Sequence, residues 1–244
     1  MSIFRNIFKP GGKTDKVNRN TESRNFRIPL IGEEAPPFYA ESTAGPVNFP
    51  SDFGKSWKVI FSHPMDFTPV CSTELIELAN LQNEFDDLGV KLLVVSTDPL
   101  DTHNQWKTTL ENIEYRGYSQ QNINFPIMDD SGLNIAKLYG MIHRGTDNIR
   151  DVRGVFIIDP DNKIRAEFFY PQEVGRNMEE LIRTVKALQV THTDNVMTPA
   201  NWKTGHDVLV PFPPVSYTHL RAHETVLDLV CRLLLEKKQK RKHP

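Results

Sequence analysis

Residues 57–75 read WKVIFSHPMDFTPVCSTEL, and the reading of this stretch decides the fold. Trp57 to Ser62 is a short, largely apolar run of β-favouring residues, which predicts a strand. The chain then turns through Pro64, and Pro69, whose fixed φ suits a first helical turn, opens a helix. Leu75, Leu78, Ala79, Leu81 and Phe85 keep helical spacing until Gly89 ends it. Cys71 therefore falls in or next to the first turn, where unpaired backbone N–H groups and the positive end of the helix dipole favour an anion. A thiolate gains there over a thiol, which makes Cys71 a candidate nucleophile. Spacing alone leaves a second reading open: a small buried hydrophobe, the common fate of a lone intracellular cysteine.

Working outward, Lys91 to Thr97 (KLLVVST) is a second strand, nearly all apolar as expected when both faces are covered. Helices are predicted from Asp101 to Ile113 and from Ser131 to Tyr139, the latter stopped by Gly140. Val152 to Ile158, the turn DPDNK and Ile164 to Tyr170 form an antiparallel hairpin, and Asn177 to Leu188 (NMEELIRTVKAL) is an amphipathic helix. Helices alternating with buried strands, closed by a hairpin and a last helix, predict a thioredoxin-like α/β fold. Its central mixed sheet is flanked by helices and followed by a C-terminal arm.

The 244 residues, 39% hydrophobic and 25% charged, suffice for one substantial core. A net charge of -2 provides no whole-protein field to gather nucleic acid or anionic lipid. Two cysteines, Cys71 and Cys231, cannot make a disulfide framework, and without a CxxC motif the expected home is a reducing compartment, the cytoplasm. No metal or other cofactor is expected. From Pro10 to Arg27 hardly an apolar residue occurs, so residues 1–27 are read as a disordered N-terminal extension. Ahead of this linker, Ile3, Phe4, Ile7 and Phe8 share one helical face, either as an interfacial anchor or as a terminus docking on its own domain. The run is too short and too interrupted for a signal peptide or stable membrane insertion. The expected layout is a core domain at 28–190, a truncated C-terminal arm at 191–214, and a segment of different origin at 215–244.

HPMDFTPVCSTEL closely resembles the active-site motif PxxxTxxC of the peroxiredoxins, here Pro64, Thr68 and Cys71. WKVIFSHP, LLVVSTD, NFPIMDD, VRGVFIIDP, YPQEVGRN and TPANWKTGHDVLVP follow in the order found in the one-cysteine, peroxiredoxin-6-like branch, so the resemblance spans Ile28 to Pro213. It implies a thiol-dependent peroxidase acting on hydrogen peroxide and organic hydroperoxides, an external thiol as reductant, and a homodimer or higher homo-oligomer. It also implies roles: Cys71 as nucleophile, Thr68 bonding thiolate and peroxide, Pro64 shielding them from water, and Arg153 of the VRGVF strand holding thiolate and peroxide. Arg176 of the GRN motif and His63 are supporting candidates, though His63 is equally a satisfied structural histidine. Other readings of the same scaffold and cysteine are a peroxide sensor or a holdase chaperone.

Two further signals are set aside. Some members of that branch carry a lipase-like GxSxG element with an upstream His, but here Gly54, Lys55, Ser56, Trp57 and Lys58 lack the final glycine, and Pro50 stands about where the His would be. In the tail, His219 and His223 imitate a metal pair, Cys231 a resolving thiol and KKQKRK a basic tract. VSYTHLRAHET, however, resembles the translation of a transposase library adapter, and LVCRLLL (Leu229 to Leu235) continues the same frame. Val215 onward is therefore expected to carry no biological information, Cys231 included.

Overall fold

The computed structural model describes residues 27–117, 121–143 and 151–211. Residues 1–26 of the N-terminal extension and the whole adapter-like tail, Cys231 included, lie outside them. By contact density the chain splits into two units between Ile182 and Arg183.

The first unit opens with a small antiparallel hairpin, β1 (Phe38–Ala40) and β2 (Val47–Phe49). The main sheet contains β3 (Trp57–His63), β4 (Val90–Ser96), β5 (Ile127–Asp129), β6 (Arg153–Ile158) and β7 (Ile164–Tyr170). Its spatial order is β5-β4-β3-β6-β7. β4 runs parallel to β3 and β5, whereas β6 is antiparallel to β3 and β7, so the sheet is mixed, as the alternation of elements predicts. The helices are α1 (Pro69–Asp87), α2 (Leu100–Glu111), α3 (Asn134–Leu138) and α4 (Met178–Asp194).

Every residue of β3 and β6 is buried, because these central strands are covered on both faces. The core continues beneath the small hairpin, where Phe38 stacks on Phe49 and Tyr139 meets Phe156 edge to face. Lys58 is buried in β3 at its ammonium's expense only in part, since Nζ donates to Gly54 O at 2.9 Å and Asn162 Oδ1 at 2.6 Å.

Differences from the sequence reading have local causes. β1, β2 and β5 are three residues each, too short for a periodic signal. The third helix begins at Asn134 rather than Ser131, because Leu133 is left-handed (φ 57°) and Ser131 N–H is taken by Asp129 Oδ1. Asp130 instead accepts from the N–H groups of Ile135 and Ala136. The last helix continues past Leu188 to Asp194, so the expected boundary at residue 190 falls inside α4. Beyond it, in the second unit, Met197 and Leu209 bridge as an antiparallel pair, and buried Trp202 donates from Nε1 to His206 O.

Candidate active site

β3 delivers the chain to the turn Pro64–Thr68, and Phe67 takes a left-handed conformation (φ 56°) that redirects the backbone into α1. Thr68 is the N-cap residue and Pro69 occupies the first helical position, with Ser72 N–H already bonded to Thr68 O at 2.9 Å. Cys71 thus sits in the first turn of a 19-residue helix. Its sulfur is buried, with 0% exposure for the whole residue.

Arg153 reaches that sulfur from the neighbouring strand. Antiparallel pairing of Phe61 with Val155, continued by two residues, sets Arg153 opposite the end of β3, beside the turn that carries Cys71. Its Nη1 lies 3.2 Å from Cys71 Sγ and 2.7 Å from Glu74 Oε2. Its Nε and Nη2 both donate to Gln172 O, at 2.8 and 2.6 Å, which fixes the plane of the guanidinium.

Arg176 completes the cluster. Its backbone N–H and Nε donate to Glu74 Oε1 at 2.8 and 2.9 Å, and its Nη2 donates to Oε2 at 2.7 Å. Nη1 donates to Ser62 O and Gly154 O, and the guanidinium carbon stands 3.4 Å from the centre of the Phe61 ring. Burial pushes the Glu74 carboxyl up, but the Arg176 hydrogen bond and the charges of both arginines outweigh it, and the net shift is down. Burial likewise lowers Arg176, with Glu74 opposing. Two buried arginines against one glutamate leave one positive charge unanswered within this trio, beside the Cys71 sulfur.

The other candidates sit around this centre in different ways. Pro64 is buried in the turn, and its carbonyl accepts from Thr97 Oγ1 at 3.3 Å. Thr68 spends its hydroxyl proton on Met65 O at 2.9 Å rather than on the sulfur. His63 is buried with Nε2 2.8 Å from Asp66 Oδ1, and Asp66 Oδ2 meets His103 Nδ1 at 2.6 Å. Burial lowers the basicity of His63 and Asp66 opposes this; the carboxyl of Asp66 is raised by burial but held low overall by the two imidazoles. His63 therefore has the partner set of a structural histidine under the turn. Glu74, Gln172, Asp66 and His103 escape the sequence reading. Glu74 alone had a usable signal, since three residues after Cys71 it shares that helical face.

Comparison with known proteins gives the family. Residues 31–167 match the AhpC/TSA family, and residues 187–220 match the C-terminal domain of 1-Cys peroxiredoxin, an overlap that takes in Val215 to Leu220. A peroxiredoxin of Methanosarcina mazei is 46% identical over 190 residues, covering 78% of this chain and 86% of the relative. Peroxiredoxin-6 of Mus musculus is 42% identical, covering 74% and 82%. Among solved structures, a yeast mitochondrial 1-Cys peroxiredoxin superposes with TM-score 0.69 at 41% identity, covering 75% of this chain and 87% of its own. A reduced 2-Cys peroxiredoxin of Plasmodium vivax reaches 0.65 at 28% identity, covering 73% and 91%. With the thioredoxin-like sheet, the helix-borne cysteine and these matches in agreement, the chain belongs to the AhpC/TSA family and is a peroxiredoxin of the one-cysteine branch.

Proposed function

We propose that Cys71 is the nucleophile of this thiol-dependent peroxidase and that Arg153 is its electrophilic partner. The observation that carries the reading is the 3.2 Å approach of Arg153 Nη1 to Cys71 Sγ, braced by Glu74 and Gln172. The thiolate attacks one peroxide oxygen and the O–O bond breaks. Sulfur keeps that oxygen as sulfenic acid, while the other oxygen leaves as water or alcohol after taking a proton. Arg153 donates toward the oxygens as charge moves from sulfur to the leaving atom. Pro64 shields the reacting atoms, and Thr68 turns its hydroxyl from Met65 O to the bound peroxide. Arg176 holds Glu74, and through it Arg153. His63 supports the turn through Asp66.

The reductive half uses two external thiols. The first displaces water from the sulfenic acid to give a mixed disulfide, and the second attacks the outer sulfur of that bond, releasing Cys71 as the thiolate and joining the two external thiols as a disulfide. The reported yeast relative resolves its thiol through glutathione and thioredoxin systems, which supports small and protein thiols alike as the class of reductant. A homodimer, a cytoplasmic site of action, and the layout of an extension at 1–27, a core at 28–190, an arm at 191–214 and a distinct tail at 215–244 belong to the same proposal. Among the described residues no helix is long and apolar enough to cross a membrane. Stopped-flow mixing with hydrogen peroxide, followed by turnover with excess dithiothreitol, tests the reading: rapid consumption of one peroxide per Cys71 supports it, and a thiol inert to peroxide removes it. Inert thiol with client-protein protection would favour the holdase instead.

A further inference from the structure

Ser62, buried near the end of β3, stands at a junction. Its carbonyl oxygen accepts from Arg176 Nη1 at 2.7 Å. Its hydroxyl faces two oxygens at once: the carbonyl of Val152 at 3.1 Å, and Oδ2 of Asp151 in a close hydrogen bond. A hydroxyl carries one proton and can donate to only one of them. Were Asp151 ionised, it and Val152 O would both be pure acceptors, and one contact would be a buried repulsion between lone pairs. Oδ1 of Asp151 is buried as well and has no hydrogen-bond partner among the described residues. A buried carboxylate needs donors on both oxygens; among the described residues the donors are the Ser62 hydroxyl and the backbone N–H of Asp151 itself, and Oδ1 is left without a hydrogen bond.

The charges of the described residues do not repair the deficit. Asp130, after β5, acts on Asp151 with like sign. Arg176, after β7, attracts it but is engaged by Glu74 of α1. Arg153, two residues along the chain, is committed to Gln172, Glu74 and Cys71. His63, the next residue of β3, binds Asp66.

We infer that Asp151 is a neutral carboxylic acid in the folded protein, that it donates its proton to Ser62 Oγ while Ser62 donates to Val152 O, and that this relay positions Arg153. Burial, the largest influence, pushes Asp151 well above the ordinary carboxylate range; the Ser62 hydrogen bond and Arg176 oppose it, and Asp130 adds to it. One residue of β3 thereby secures both arginines, Arg176 through its carbonyl and Arg153 through the two residues that precede it. When Asp151 loses its proton, the relay breaks and a bare buried charge draws the start of β6 away from Ser62. Its protonation is independent of the peroxidase reading, whereas the positioning role rests on the pairing of Cys71 with Arg153.

The experiment is carboxyl 13C NMR of the full chain labelled in aspartate, with the Asp151 signal assigned by its absence in Asp151→Asn. The signal is expected to hold its protonated position through neutral pH, and a titration at about pH 4, the ordinary aspartate range, overturns the inference. The positioning role is read separately from the peroxide rate constant against pH. Asp151→Ala is expected to slow the reaction about tenfold, since a misplacement of roughly 1 Å costs up to about 10²-fold. Asp151→Asn, the shape of the neutral acid, restores most of that loss and lacks the alkaline decline of the parent. Equal defects in both variants, or an alkaline decline unchanged in Asp151→Asn, overturn the positioning role.

Discussion

Glu74 and Arg176 meet fork to fork, Nε on Oε1 at 2.9 Å and Nη2 on Oε2 at 2.7 Å, with the backbone N–H of Arg176 adding a third bond to Oε1. Oε2 also receives Arg153, so one carboxylate orients both cations beside the sulfur. Removing its charge leaves two buried guanidinium groups facing each other. Breaking a buried pair in this way costs about 3–5 kcal/mol. Glu74→Gln is expected to lower the urea midpoint by a corresponding amount and to slow peroxide reduction; a midpoint and rate equal to the parent would show that Glu74 is a bystander.

The same carboxylate contributes an acid limb to stability. Its folded value is depressed below the unfolded one. Between those values the unfolded chain binds more protons, so the contribution is complete above about pH 4.3, the unfolded glutamate value, and is lost as pH falls through the folded value. Asp66, also depressed, acts in the same direction below about pH 3.9. Thermal melts from pH 7 to pH 3 are expected to fall less steeply for Glu74→Gln than for the parent, and parallel curves would contradict this linkage.

Cys71→Ser is expected to abolish peroxide consumption with excess dithiothreitol, and Cys231→Ser to leave it unchanged. In the Cys231→Ser protein no second thiol remains in the chain. One equivalent of peroxide should therefore leave a sulfenic acid that dimedone traps. A disulfide-linked dimer in place of the dimedone adduct would show that resolution occurs between two copies of Cys71.

Arg153→Met is expected to reduce the peroxide rate constant by about 10²–10³-fold, the loss found when a donor to developing negative charge is removed. The defect should persist at a pH where the thiol is fully ionised, because the donor also serves the transition state. Thr68→Val, whose hydroxyl is bonded to Met65 O at rest, should show a smaller defect. An unchanged rate in Arg153→Met would misplace the catalytic arginine.

Gly140 follows α3 at φ 63°, and a Cβ there would stand 2.6 Å from Ile28 Cγ1 and 2.8 Å from Ile28 backbone atoms. Gly140→Ala is expected to destabilise by about 2–4 kcal/mol, combining left-handed strain with overpacking. Gly89→Ala, at φ 66° with open space, carries the strain alone and should cost about 1 kcal/mol. Equal melting temperatures for the two variants would remove the packing argument.

The strand–turn–helix around Cys71 was legible because each signal in it is strong and local: a run of apolar residues, prolines at defined positions, and apolar residues at helical spacing from Leu75 to Phe85, ended by Gly89. α4 was legible in type but not in length, since Gln189 to Asp194 carry little apolar period. β1, β2 and β5 were not legible, being made by pairing rather than by pattern. At the site, the motif residues could be named from the sequence, but the roles of Glu74 and the Gln172 carbonyl could not. Their contacts with Arg176 and Arg153 span 102 and 19 residues, and they form only when the β6–β7 hairpin folds and docks beside β3. His63 shows the converse case, a conspicuous motif residue whose buried partner is Asp66.

The separation between Cys71 and its arginines also sets a clock on the ribosome. Arg153 follows Cys71 by 82 residues and Arg176 follows Glu74 by 102. At about 5–20 residues per second, the cysteine is made roughly 5–20 s before the residues that complete its surroundings. During that interval the nascent chain carries Cys71 with neither guanidinium beside it. On the proposed roles of Cys71 and Arg153, the site is therefore complete only after β6 and the segment after β7 have been synthesised and docked, long after the cysteine itself has been made.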